Sequence, residues 1–81
     1  MKGEIKMTYI VTELQTNREG ATANITTAYT DRYQAEQKYH SILATAAVSN
    51  VYIHAATILD MYGSVIKSEY YQHETAEVEE S

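Results

Sequence analysis

The chain has no cysteine, no proline, no phenylalanine and no tryptophan, and only three glycines in 81 residues. Without cysteine, disulfides and thiolate zinc sites are excluded, which fits a reducing compartment. Without proline, nothing forbids a central strand or breaks a helix. Three glycines are too few for a glycine-rich phosphate loop. No apolar run approaches the roughly 18 to 20 residues of a membrane span, and Met1 to Tyr9 lacks the apolar stretch of a secretory signal. The expectation is a soluble protein of the bacterial cytoplasm with no membrane partner. Positive charge is also scarce. Lys and Arg number 6 against 11 Asp and Glu, a formal charge of −5, which argues against broad electrostatic capture of nucleic acid. Much of the acidity is local, in Glu74, Glu77, Glu79 and Glu80, so the remainder is near neutral.

What is present is one helical period among several strand periods. In Asp31 to Asn50, Ala35, Tyr39, Ile42, Leu43, Ala46 and Ala47 recur at helical spacing and form one apolar stripe. Asp31 is the expected N-cap, Gln34 stands in the capping-box position, and Asn50 is the expected stop. A second stripe, Tyr33, Gln37, His40, Ala44 and Val48, lies on the helix's other side, where a plain solvated face would hold more Lys and Glu.

Four segments alternate with period two: Lys6 to Thr16, Ala21 to Thr30, Val51 to Asp60 and Val65 to His73. Asn17 to Gly20 and Met61 to Ser64 are turn signals that fold them into two hairpins. The third segment is apolar on both faces and reads as a central strand. In the fourth, Val65, Lys67, Glu69, Tyr71 and His73 oppose Ile66, Ser68, Tyr70 and Gln72. The fold class is α+β, ββαββ, a four-stranded mainly antiparallel sheet with one helix packed on one face. Residues 6 to 73 make a single domain, residues 1 to 5 are expected to fray, and residues 74 to 81 form an acidic tail without periodicity, expected to be disordered.

So small a chain buries a thin core, and one helix covers only one sheet face. Tyr9, Val11, Tyr52, Ile58 and Tyr71 are candidates for the second face, and a homodimer, face to face or edge to edge, is the economical cover. Catalysis finds little support. His40, His54 and His73 sit on three elements without metal-ligand spacing, so no metal and no cofactor is expected. Glu13, Glu36, Asp60 and Glu69 are scattered, and no serine has the context of a nucleophile elbow. His54, in an apolar strand, reads as a packed histidine with its ring nitrogens satisfied. The protein is not expected to be an enzyme.

All eight aromatic side chains apart from histidine are tyrosines, each with a polar tip that wants water or a partner. The residues that mix cations and aromatics are Arg32, Tyr33, Lys38 and His40 on the helix with His54, Lys67, Tyr71 and His73 from the second hairpin. With Ala44, whose small side chain admits a partner, they form the candidate binding set, suited to a phosphate-bearing small ligand or an acidic protein surface.

Tyr9-Ile10-Val11-Thr12-Glu13, Gln15-Thr16-Asn17, Ala35-Glu36, Lys38 to Ala44, Ala46 to Ser49 and His54-Ala55-Ala56 together resemble a group of short uncharacterised proteins from phages and mobile elements of Gram-positive gut bacteria. The resemblance spans about residues 7 to 73 and carries no catalytic residues. It implies a setting in which small proteins block host defence. The expected function is therefore a self-associating, non-catalytic inhibitor that docks on a bacterial defence protein such as a CRISPR effector. The alternatives are a sponge that traps a cyclic-nucleotide signal between subunits, and a structural or regulatory accessory with no defence role.

Overall fold

Strand β1 (Tyr9–Thr16) and strand β2 (Thr22–Tyr29) form the first hairpin, helix α1 (Arg32–Val48) follows, and β3 (Ile53–Asp60) with β4 (Val65–Gln72) forms the second. This is a computed structural model, which describes residues 6–74. The expected frayed residues 1 to 5 and the tail from 75 onward lie outside it. The strands make one antiparallel sheet in the order β2-β1-β3-β4, so the two inner strands pair across the helix connection, Val11 opposite Ile58 and Glu13 opposite Ala56. Among the described residues no helix is long and apolar enough to cross a membrane.

The two hairpins are closed by the same turn chemistry. In the first, Asn17 N–H donates to the Ala21 carbonyl and Gly20 N–H to the Asn17 carbonyl, both at 3.0 Å. In the second, Asp60 N–H donates to the Ser64 carbonyl at 2.9 Å and Gly63 N–H to the Asp60 carbonyl at 3.0 Å. Each turn's leading Asx side chain accepts two more backbone N–H groups: Asn17 Oδ1 from Glu19 and Ala21, Asp60 Oδ1 from Tyr62 and Ser64. Gly20 and Gly63 adopt φ of 91° and 89°, the left-handed conformation that a three-residue hairpin loop ending in a bulge requires and that only glycine takes cheaply.

The helix begins where the sequence suggests. Asp31 accepts the Tyr33 N–H at 2.9 Å, while the Gln34 side chain is exposed. Its end differs. Ser49, not Asn50, is the C-cap, extended at φ −82° and ψ 165°, and among the described residues none other than glycine takes positive φ. The last turn has no basic residue. The missing donor arrives from β4's end, where His73 Nε2–H donates to the Ala46 carbonyl at 2.7 Å beside the Ser49 N–H at 3.3 Å. Since a carbonyl only accepts, Nε2 must carry the proton.

The core lies between α1 and the inner strands: Val11, Ala35, Tyr39, Ile42, Leu43, Ala56 and Ile58, with Tyr9, Tyr29 and Ile66 packed against its rim. Three expectations need correction. Ala47 is exposed, because the sheet's width limits how much of the stripe it can cover. Tyr9, Val11 and Ile58 do not line the second sheet face but sit under the helix, and Tyr71, opposite the buried His54, also belongs to the helix side. Alternation sorts residues into two faces without saying which one the helix takes, and here it takes the odd residues of β1 and the even residues of β3. In β4 a register shift between Ile58 and Leu59 turns Val65 outward opposite Leu59 and lets Ile66 reach the core, the reverse of a straight alternation.

Candidate functional site

The expected binding set separates into three groups that do not converge. On the outer side of α1, Tyr33 is 82% and Val48 85% exposed, and His40 and Ala44 are exposed between them. His40 leans edge-on against the Tyr39 ring at 5.3 Å. No charged residue interrupts this stripe.

Arg32 and Lys67 form the second group. They converge, but on Glu36 and not on open space, with Arg32 Nε 3.0 Å and Lys67 Nζ 3.3 Å from its two carboxylate oxygens. Hydrogen bonds from Arg32 and Lys67 hold the Glu36 carboxyl below the ordinary glutamate range. Tyr71 stacks on His73 at 6.2 Å, and His73 is spent on the helix end. Lys38, half-buried, lines a shallow depression with Tyr29, Gln34, Gln37 and Ser41.

The third group is internal. His54 is 2% exposed, with its Nε2 at 2.6 Å from Glu13 Oε2 and its Nδ1 at 3.1 Å from Ser49 Oγ. Burial pushes the Glu13 carboxyl up, but hydrogen bonds from His54 and Gln15 and the charges of His54 and Lys38 outweigh it, and the net direction is down. An ionised Glu13 accepts from Nε2–H, while Nδ1 lies 3.1 Å from the Ser49 hydroxyl, which also reaches the Ala46 carbonyl at 3.4 Å. Serine, histidine and carboxylate thus form a chain, yet one built for support. The Ser49 oxygen also receives the Val51 N–H at 3.3 Å, and the imidazole is sealed from solvent. The array ties the end of α1 to β1 and β3. Sequence offsets hid it, since Glu13 and His54 are 41 residues apart and meet only through the β1–β3 register.

Two further surfaces stand out, the first expected as an uncovered face but lined by other residues, the second not expected at all. One is the sheet face away from the helix. Across the four strands its rows read Ala28, Ile10, Leu59, Val65; then Thr26, Thr12, Thr57, Ser68; then Asn24, Leu14, Ala55, Tyr70; then Thr22, Thr16, Ile53, Gln72. None of these residues is charged and none is buried. Hydroxyl contacts run along the second row, Thr12 to Thr26 at 3.4 Å and Thr57 to Ser68 at 3.1 Å. Such rows keep the face wettable while leaving it without ionic preference.

The other is an open depression of about 470 Å³ between the first hairpin turn and the α1–β3 link, lined by Gln15, Asn17, Arg18 and Tyr52 among others. There the Arg18 guanidinium lies 4.9 Å from the Tyr52 ring centre and 3.3 Å from Glu74. Tyr52, expected on the second sheet face, instead serves this corner and accepts a hydrogen bond from Gln72.

Comparison with protein-family models, with curated proteins and with solved structures finds no match.

Proposed function

We propose that the protein is a non-catalytic, self-associating binding module that inhibits a bacterial defence component, such as a CRISPR effector, by docking on it. The observation that carries the binding role is the open sheet face, four strands wide, uncharged and uncovered among the described residues. Isolated exposed apolar residues need no explanation, but a continuous uncharged face on so small a chain does. A partner with a similarly neutral, flat surface fits it, because no desolvated charge would be left unpaired. The outer stripe of α1 offers a second contact of the same character. The choice of a defence component as target rests on the resemblance of the sequence to mobile-element proteins.

The test is nuclease activity of purified CRISPR effectors with the protein added. Inhibition is expected, and Thr57→Lys or Tyr70→Glu, which place charge on the open face without touching the core, should abolish it while leaving melting unchanged. Inhibition that survives both substitutions removes the face from the mechanism, and its absence across effectors removes the target class.

A nucleotide-sequestering role draws support from one feature, the depression where Arg18 meets Tyr52, an aromatic and a guanidinium suited to a base and a phosphate. Cyclic nucleotides at 100 times Kd should then stabilise the protein by about 2.7 kcal/mol, a readily visible rise in Tm.

A further inference from the structure

The two edges of the sheet are built differently. The outer strand β4 carries Lys67 and Glu69 and a bulge, all devices that discourage another strand from adding. The outer strand β2, TANITTAY, has no charge, no proline and an unbroken register from Thr22 to Tyr29. Since the hairpins share their turn chemistry, the contrast is confined to the strands. On its helix side β2 is also poorly covered, because α1 lies chiefly over β1 and β3 and leaves Ile25 59% exposed.

The free backbone groups of β2 can be assigned. Asn17 N–H bonds to the Ala21 carbonyl, and in an antiparallel ladder bonded pairs recur at every second residue, so Ala23, Ile25, Thr27 and Tyr29 spend their groups on β1. The N–H and C=O of Thr22, Asn24, Thr26 and Ala28 therefore point outward, where no strand pairs among the described residues.

From this edge we propose that a second copy of the chain adds antiparallel to β2, fusing the two sheets into one. A twofold axis through Ile25 sets Thr22 opposite Ala28 and Asn24 opposite Thr26 of the second copy, and satisfies all the outward groups with roughly eight hydrogen bonds. Displacing the axis to Thr26 or Asn24 forms fewer bonds, and moving it by half a residue aims the wrong backbone groups at each other. In the chosen register Ile25 meets Ile25 of the second copy in a non-bonded pair, where side chains stand closest, and no like charges oppose. The assignment deepens the self-association in the proposed function and leaves the open face free for its target.

Backbone amide exchange followed residue by residue at rising protein concentration tests the pairing. The Asn24, Thr26 and Ala28 amides, unpaired within one chain, should slow at least tenfold between about 10 μM and 1 mM, a range suited to a small interface, while Ser68 and Tyr70 on the other edge stay fast. Ile25→Lys, which opposes two charges across the axis, and Thr26→Pro, which removes one outward donor, should each abolish the concentration dependence and give a monomer by light scattering. Ser68→Pro should leave the dimer intact. A wild-type monomer throughout this range overturns the pairing and the self-association together. A dimer that persists in both β2 variants, or is lost in Ser68→Pro, overturns the β2 assignment alone.

Discussion

His54 is the polar side chain that the fold takes inside, and it is held by a carboxylate on one nitrogen and a hydroxyl on the other. The arrangement makes stability depend on acid. The folded-state pKa of Glu13 lies below its ordinary value of about 4.3. Its contribution is therefore fully present above that value and is lost as pH falls through the folded pKa. Glu36, shifted in the same direction, adds to the same slope. Glu13→Gln should flatten the loss of Tm below about pH 4.3 relative to wild type and lower stability at neutral pH by about 1.5–3 kcal/mol, as for hydrogen bonds to charged groups; parallel thermal melts at a series of pH values show both. A variant that keeps the wild-type acid slope would mean that Glu13 is not its source. His73→Ala removes one donor from the helix end and should cost about 0.5–1.5 kcal/mol by chemical denaturation.

The helix and the hairpins respond differently to substitution. Leu43→Ala, in the core layer, should destabilise by about 2–5 kcal/mol. Lys38→Ala and His40→Ala, at the rim and on the outer stripe, should stay within about 0.5 kcal/mol by the same denaturation measurement. Gly20→Ala and Gly63→Ala should each cost about 1 kcal/mol although a Cβ meets nothing within 4 Å at either place, because the cost is conformational and not steric. These elements were legible in the sequence. Period-two alternation, the turn signals Asn17 to Gly20 and Met61 to Ser64, and the helical stripe from Ala35 to Ala46 gave both hairpins and the helix to within a few residues, while the part Asp60 plays in the second turn emerged only from the structure. The Val65–Ile66 inversion was hidden, because a bulge leaves no mark when both residues are apolar. The candidate binding set was the least legible part. Arg32 and Lys67 read as free cations until the fold placed Glu36 between them, and His54 read as a packed histidine whose partners, Glu13 and Ser49, stayed unnamed until β1 paired with β3.

As a whole, the molecule leaves two broad surfaces, the open sheet face and the outer stripe of α1, without a charged residue among the described residues. The Arg18–Glu74 pair is exposed on both sides, and such pairs contribute little. Deleting residues 74 to 81 should accordingly leave Tm nearly unchanged by calorimetry. A large drop would assign the tail a packing role.

The matched turns also bear on how the chain folds. Each hairpin closes over a few residues with its own glycine and Asx side chain, whereas β1 and β3 pair over a separation as long as Tyr9 to Asp60. Local closure takes about 1–10 μs for a hairpin, and non-local pairing is slower because loop entropy is lost before contacts repay it. The rate-limiting step is therefore expected to be the docking of two preformed hairpins under α1. Val11→Ala or Ile58→Ala, at that seam, should slow refolding more than Gly20→Ala or Gly63→Ala in stopped-flow measurements, the turns revealing themselves only if they prove to be the barrier.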